Sequence, residues 1–142
     1  GSGGAGEHRG GFGVRYTLRM RDGSGKASFM MDHGKYGPPG VLGGEDGGTN
    51  RIQVHRGDSV YEPAHVSKDQ GVTVEAGDYV TVCSPGGGGY GDPFARPADR
   101  VASDVRYGYY APDEARARFG VALTADLQVD EPATARLRAV VD

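Results

Sequence analysis

Glycine supplies 26 of 142 residues, more than twice the ~7% of an average chain, and most of it sits in tracts: residues 1–13, 34–50 and 85–93. Such tracts exclude both a helical bundle and an ordinary sheet over the same residues, because glycine destabilises helix and strand interiors alike. What they permit is close approach of one backbone to another. With Gly37-Pro38-Pro39-Gly40, Gly43-Gly44 and Gly47-Gly48 in the middle tract, short polyproline-II-like segments packed side by side suit the composition. No Gly-X-Y period is present, so a collagen helix is excluded. The chain opens inside a glycine motif, Gly1-Ser2-Gly3-Gly4-Ala5-Gly6, without an initiator Met, as the middle of a longer polypeptide would.

Patterned segments lie between the tracts, which argues against general disorder. From Phe12 to Met20, Phe12, Val14, Tyr16, Leu18 and Met20 alternate with Gly13, Arg15, Thr17 and Arg19; this period of two predicts a half-buried strand. Asp22-Gly23-Ser24-Gly25 is a turn signal, and Lys26 to Met31 reads as the returning strand of a hairpin. Further strands are expected at Arg51–His55, at 59–66 with Pro63 on an edge, at Val72–Glu75 and at Tyr79–Cys83. After Pro93 the character changes. Pro97 opens a helix with Val101 and Val105 one turn apart, ended by Gly108. Pro112 opens another, with Ala115 and Phe119 on one face and Gly120 as its cap. Asp130-Glu131-Pro132 opens a last one carrying Leu137, Val140 and Val141. The expected fold is mainly β: a glycine-rich β-sheet module over residues 1–93 and a tail of short α-helices over 94–142.

Net charge is -3 and the pI about 5.8, with Lys and Arg dispersed, so no nucleic-acid partner is expected. No run approaches the roughly 18 apolar residues of a membrane-spanning helix, and the start does not read as a signal peptide. The lone Cys83 excludes an internal disulfide and a cysteine-rich zinc site; a reducing, cytoplasmic setting is expected.

No self-contained catalytic constellation is visible. Gly86, Gly88 and Gly91, like Gly1, Gly3 and Gly6, satisfy G-x-G-x-x-G, but neither match leads at once into a helix whose N-terminus would meet a pyrophosphate. His8, His33, His55 and His65 form no H-x-H or H-x-x-x-H pair, so no metal site is expected within the chain. Cys83 lies in an apolar strand and Ser84 lacks a nucleophile elbow. Arg9, between glycine pairs, has a fork suited to planar anions, although hydrogen bonds to backbone carbonyls explain such an arginine as well. Arg9, His8 and Tyr90 are the candidates for the edge of an active site, because they lie in the glycine tracts.

The residues from Ser84 to Leu123 resemble the C-terminal end of the hydantoinase B/oxoprolinase family: PGGGGYGDP (85–93), Arg96, Pro97, Val101, Asp104-Val105, Gly108, Glu114-Ala115 and Phe119-Gly120-Val121 in order. GSGGAGEHRGGFG (1–13) and DHGKYGPPGVLGG (32–44) are similar to stretches of the same family. The resemblance implies a part of an ATP-dependent, multi-subunit enzyme that opens cyclic amides such as hydantoins, 5-oxoproline or lactams, or carboxylates ketones such as acetone or acetophenone. It implies two partners, a larger hydantoinase B-like chain and a hydantoinase A-like ATPase subunit. ATP with Mg and a divalent metal are expected in those partners and no cofactor in this chain, which is expected to be inactive alone. A free-standing binding module without enzymatic partners is the competing expectation.

Overall fold

The computed structural model describes residues 2–139; Gly1, Val140 and Val141, which the sequence placed in a glycine motif and a last helix, lie outside them. Among the described residues the strands are β1 (Arg15–Arg19), β2 (Ser24–Met30), β3 (Arg51–Arg56), β4 (Ser59–Tyr61), β5 (Lys68–Glu75) and β6 (Tyr79–Cys83). A 3-10 turn (Pro93–Ala95) precedes helices α1 (Ala98–Arg106), α2 (Pro112–Phe119) and α3 (Glu131–Arg138). The architecture is thus mainly β with a tail of short helices. Strands β1-β6-β3-β4 form one antiparallel sheet and β2-β5 a second. Phe29, Val72 and Val74 of the small sheet pack against Ile52, Val54, Val80 and Val82 of the large one.

Three local expectations change. The strand expected over 59–66 stops at Tyr61, short of Pro63. The hairpin expected from Phe12–Met20 and Lys26–Met31 does not form, because β1 pairs with β6 and β2 with β5. The chain crosses between the sheets at residues 20–23, beside the β5–β6 turn: Met20 N–H donates to Asp78 O at 2.9 Å and Gly77 N–H to Met20 O at 3.0 Å. Pairing each crossing with the other satisfies these backbone groups without a hairpin. The half-buried face expected for Phe12–Met20 is also divided. Phe12 joins the helical core and Met20 the sheet core, while Val14, Tyr16 and Leu18 are 62%, 46% and 64% exposed.

The glycine tracts form a layer of their own. Residues 2–13, 37–48 and 84–91 lie outside the sheets, with a turn at Leu42-Gly43, and are hydrogen-bonded to one another: Gly4 N–H donates to Gly87 O at 2.9 Å, Glu45 N–H to Ala5 O at 2.8 Å and Gly89 N–H to Glu45 O at 2.8 Å. Spacing explains the glycines here. A Cβ on Gly10 would lie 1.9 Å from Gly87 O, one on Gly89 2.0 Å from Ala5 O, and one on Gly47 2.2 Å from Gly86 O.

The helices pack on this layer. Buried Ala5 of the first tract meets Val101, Val105, Tyr110, Ala115, Phe119 and Val121. Local signals set the helix ends: Glu114 reaches back to accept from Ala111 N–H, Gly120 closes α2 in the left-handed region, and Asp130 caps α3 by accepting from Ala133 N–H. The Tyr110 ring stands edge-on to Phe12 and Phe119, and its buried hydroxyl has no hydrogen-bond partner among the described residues. Burial pushes the phenol upward, outweighing the opposing pull of Arg118 and Arg9.

This packing sets the expected response to two kinds of substitution. Gly10→Ala is expected to cost more than about 3 kcal/mol, because backbone must move. Gly11→Ala next to it, where an added Cβ meets nothing within 4 Å, should stay within about 0.5 kcal/mol; urea midpoints compare the two. Tyr110→Phe removes a hydroxyl that no described residue satisfies and should leave stability at neutral pH unchanged or raised. The native state holds the Tyr110 proton more tightly than the unfolded chain does. Its contribution is therefore intact below the ordinary value of 10.0 and lost as pH climbs through the raised value. The Phe variant should lose less stability in that alkaline window, as measured by thermal melts across it.

Candidate functional site

Asp104 lies on α1 between Val101 and Val105, on the face that α1 turns to the glycine layer, and is 6% exposed. A carboxylate so buried needs partners, and two arginines supply them. Arg9 donates from Nε to Oδ2 at 2.9 Å and from Nη2 to Oδ1 at 3.2 Å, a two-pronged grip. Arg96, just past the 3-10 turn, donates from Nη2 to Oδ2 at 3.0 Å and from Nη1 to Glu7 O at 3.1 Å. The Arg9 guanidinium also lies 4.3 Å from the centre of the Phe12 ring. Its hydrogen bond to Asp104 raises the Arg9 pKa, with partial burial opposing. The Arg9–Asp104–Arg96 cluster therefore ties α1 to the first glycine tract.

A second tie runs from α2, where Arg118 donates from Nε to Glu45 at 3.0 Å and from Nη2 to Gly3 O at 3.4 Å. From α3, Arg138 donates to Arg96 O at 2.7 Å and to Phe119 O at 3.1 Å.

A shallow cleft of about 300 Å³ adjoins the first cluster, lined by Arg9, Arg96, Arg100, Ser103, Tyr107 and Tyr109 around Asp104. Three guanidinium groups face one carboxylate there, so the cleft is positively charged. Nothing in it pairs a nucleophile with a base.

The three sequence candidates do not converge. Arg9 turns to α1, whereas His8 and Tyr90 form a backbone bridge on the other limb: His8 N–H donates to Tyr90 O at 3.0 Å and Tyr90 N–H to His8 O at 2.9 Å. Their rings stand 6.2 Å apart, and both residues are exposed. Asp104 and Arg96 carried no local chemical signal; only their place in the family pattern marked them. No group of three or more His, Cys, Asp or Glu side chains among the described residues is placed to hold a metal ion. No helix among them is long and apolar enough to cross a membrane.

Asp104→Asn keeps the shape of the cluster but leaves Arg9 and Arg96 without a counter-charge. The expected cost is about 3–5 kcal/mol of stability, against less than about 0.5 kcal/mol for exposed Arg100→Ala, both read from denaturant midpoints.

Comparison with known proteins places the chain as a whole. The hydantoinase B/oxoprolinase family profile matches residues 1–93. The chain is 38% identical over 144 residues to the beta chain of caprolactamase from Pseudomonas jessenii, covering 97% of this chain and 24% of that one. It is 31% identical over 136 residues to a chain named as the B component of a D-/L-hydantoinase from a Pseudomonas species (strain NS671), covering 95% and 23%. The crystal structure of ATP-dependent caprolactamase from Pseudomonas jessenii superposes with a TM-score of 0.71 at 32% identity, covering 97% of this chain and 24% of that chain. Acetone carboxylase in its nucleotide-free form has the same fold, with a TM-score of 0.70 at 24% identity over 99% of this chain and 23% of that chain. The chain thus spans about a quarter of the length of these relatives, and it belongs to the hydantoinase B/oxoprolinase family.

Proposed function

We propose that this chain is the C-terminal region, or a separately encoded small subunit, of the B-type component of an ATP-dependent cyclic amide hydrolase. The substrate class would be a lactam, a hydantoin or 5-oxoproline. The observation that carries this reading is the 38% identity to the caprolactamase beta chain across 97% of this chain, matched to only 24% of that relative. Its role is to complete the structure and assemble the enzyme. The chemistry of the reaction belongs elsewhere, because the charged cluster of this chain is spent on joining α1 to the glycine layer.

The partners in this reading are the larger part of the B-type polypeptide and an A-type ATPase. ATP with Mg and the divalent metal are assigned to them; the described residues of this chain do not offer a fitting set of metal donors. His8 and Tyr90, exposed together on the glycine layer, are assigned to the edge of the site that the larger body builds, and Arg9 to holding that edge in place. The free Cys83 suits a reducing compartment, and the cytoplasm is the compartment proposed. Two relatives above 30% identity that are matched along at least 95% of this chain carry lactamase and hydantoinase names, which favours hydrolysis over the carboxylase reading; the likeness to acetone carboxylase speaks to fold.

Native co-purification with mass spectrometry tests this. The expected outcome is a complex holding B-type sequence of about four times this chain's length together with an ATPase. That complex should hydrolyse a cyclic amide only when ATP is present, and the isolated chain should be inert. Recovery of a lone, stable monomer would refute the subunit reading. ATP consumption that requires bicarbonate and a ketone would replace hydrolysis by carboxylation.

A further inference from the structure

We infer that β1 is an acceptor edge, and that a strand from the remaining part of the B-type polypeptide adds to it. This inference rests on the reading given under Proposed function.

The first observation is the edge itself. β1 ends the four-stranded sheet, so one row of its N–H and C=O groups has no strand partner among the described residues. β4, at the other edge, is three residues long and followed by Pro63, two features that blunt an edge. β1 has neither.

The second observation is apolar surface where a core should continue. Tyr16 stands opposite Val82 and Leu18 opposite Val80 across the β1–β6 ladder, so they share the face of those buried valines. The small sheet roofs Val80 and Val82, which are 8% and 4% exposed, but leaves Tyr16 at 46% and Leu18 at 64%. A largely apolar groove of about 210 Å³ runs beside Leu18, lined by Leu18, Met20, Ala27, Val74 and Val80, with Arg19 and Asp78 also on its wall. The surface is continuous with the core of this chain, as an intrachain or obligate contact would be.

The third observation fixes the occupant's chemistry. Arg15 and Arg19 alternate with Tyr16 and Leu18 on the opposite face of β1, and neither makes an ion pair among the described residues. A second copy of β1 is disfavoured. Antiparallel pairing about Thr17 would set Arg15 against Arg19, and parallel pairing in register would set each arginine against itself. The fitting strand alternates apolar residues over Tyr16 and Leu18 with acidic residues toward the arginines. Since the chain matches only 24% and 23% of its relatives' length, some three quarters of a B-type polypeptide lies outside it to supply that strand.

The test uses the complete polypeptide or complex in which this chain occurs, with the photo-cross-linker benzoylphenylalanine placed at Leu18 and, as control, at Val60 on the β4 edge. The expected result is a Leu18 adduct to one B-type peptide outside this region, with alternating apolar and acidic residues, and no matching adduct from Val60. Charge reversal by Arg15→Glu with Arg19→Glu should lower that adduct's yield about tenfold while circular dichroism stays unchanged. Adducts only to a second copy of this chain or to the ATPase, or no adduct from Leu18, would overturn the inference. If the wider complex is recovered and Leu18 remains uncross-linked, only the acceptor edge fails. If no B-type sequence accompanies the chain at all, the subunit reading fails with it.

Discussion

The structure depends on main chain packing directly against main chain. Where residues 2–13, 37–48 and 84–91 meet, the spacing leaves no room for a Cβ, as at Gly4 against Glu45 O, Gly44 against Gly89 O and Gly88 against Pro39 O. Ordinary cores are filled by side chains; this layer is filled by peptide groups, which satisfy one another through cross-segment hydrogen bonds. Everything else is attached to it. β1 and β6 leave it together, joined at Val14 and Ser84, where each N–H is met by the other residue. The helices pack on it around Ala5.

Charge then fixes how the helices sit. A glycine layer has few side chains with which to grip a neighbour, so the grip comes from long side chains reaching backbone carbonyls and a few carboxylates. Arg96 reaches Glu7 O, Arg118 reaches Gly3 O, and Arg9 meets Asp104. Burying Asp104 costs solvation that its two arginines offset. The gain is specificity of placement: a planar two-pronged pair admits one orientation of α1 over the tract. This explains why Arg9, whose setting among glycines suggested anion binding, is occupied inside the fold.

Much of this was legible in the sequence, for identifiable reasons. Helix ends were readable because Gly108, Pro112, Gly120 and Asp130 act locally. The close approach of the glycine tracts followed from composition, since little else suits so many residues without side chains. Strand pairing was not readable: the alternation from Phe12 to Met20 marks a strand but does not say which strand it joins. The same alternation could not show that Phe12 and Met20 enter different cores while Val14, Tyr16 and Leu18 stay open. Nor could it bring Arg9 to Asp104, 95 residues apart in the chain. Family resemblance, carried by ordered motifs across the chain, supplied the family that the local chemistry of single residues did not.

A chain built this way is joined through its glycine layer, on which the helices pack and from which β1 and β6 leave. Because its amides are paired across segments, the glycine layer is expected to be held as firmly as the large sheet. Hydrogen–deuterium exchange on the polypeptide that contains this chain tests that most directly. The amides of Gly4, Glu45, Gly87 and Gly89, which donate to backbone carbonyls within the layer, should exchange as slowly as those of β3 and β6 and open in the same cooperative unit. Exchange of these glycine-tract amides at loop-like rates, with β3 and β6 still protected, would contradict the account.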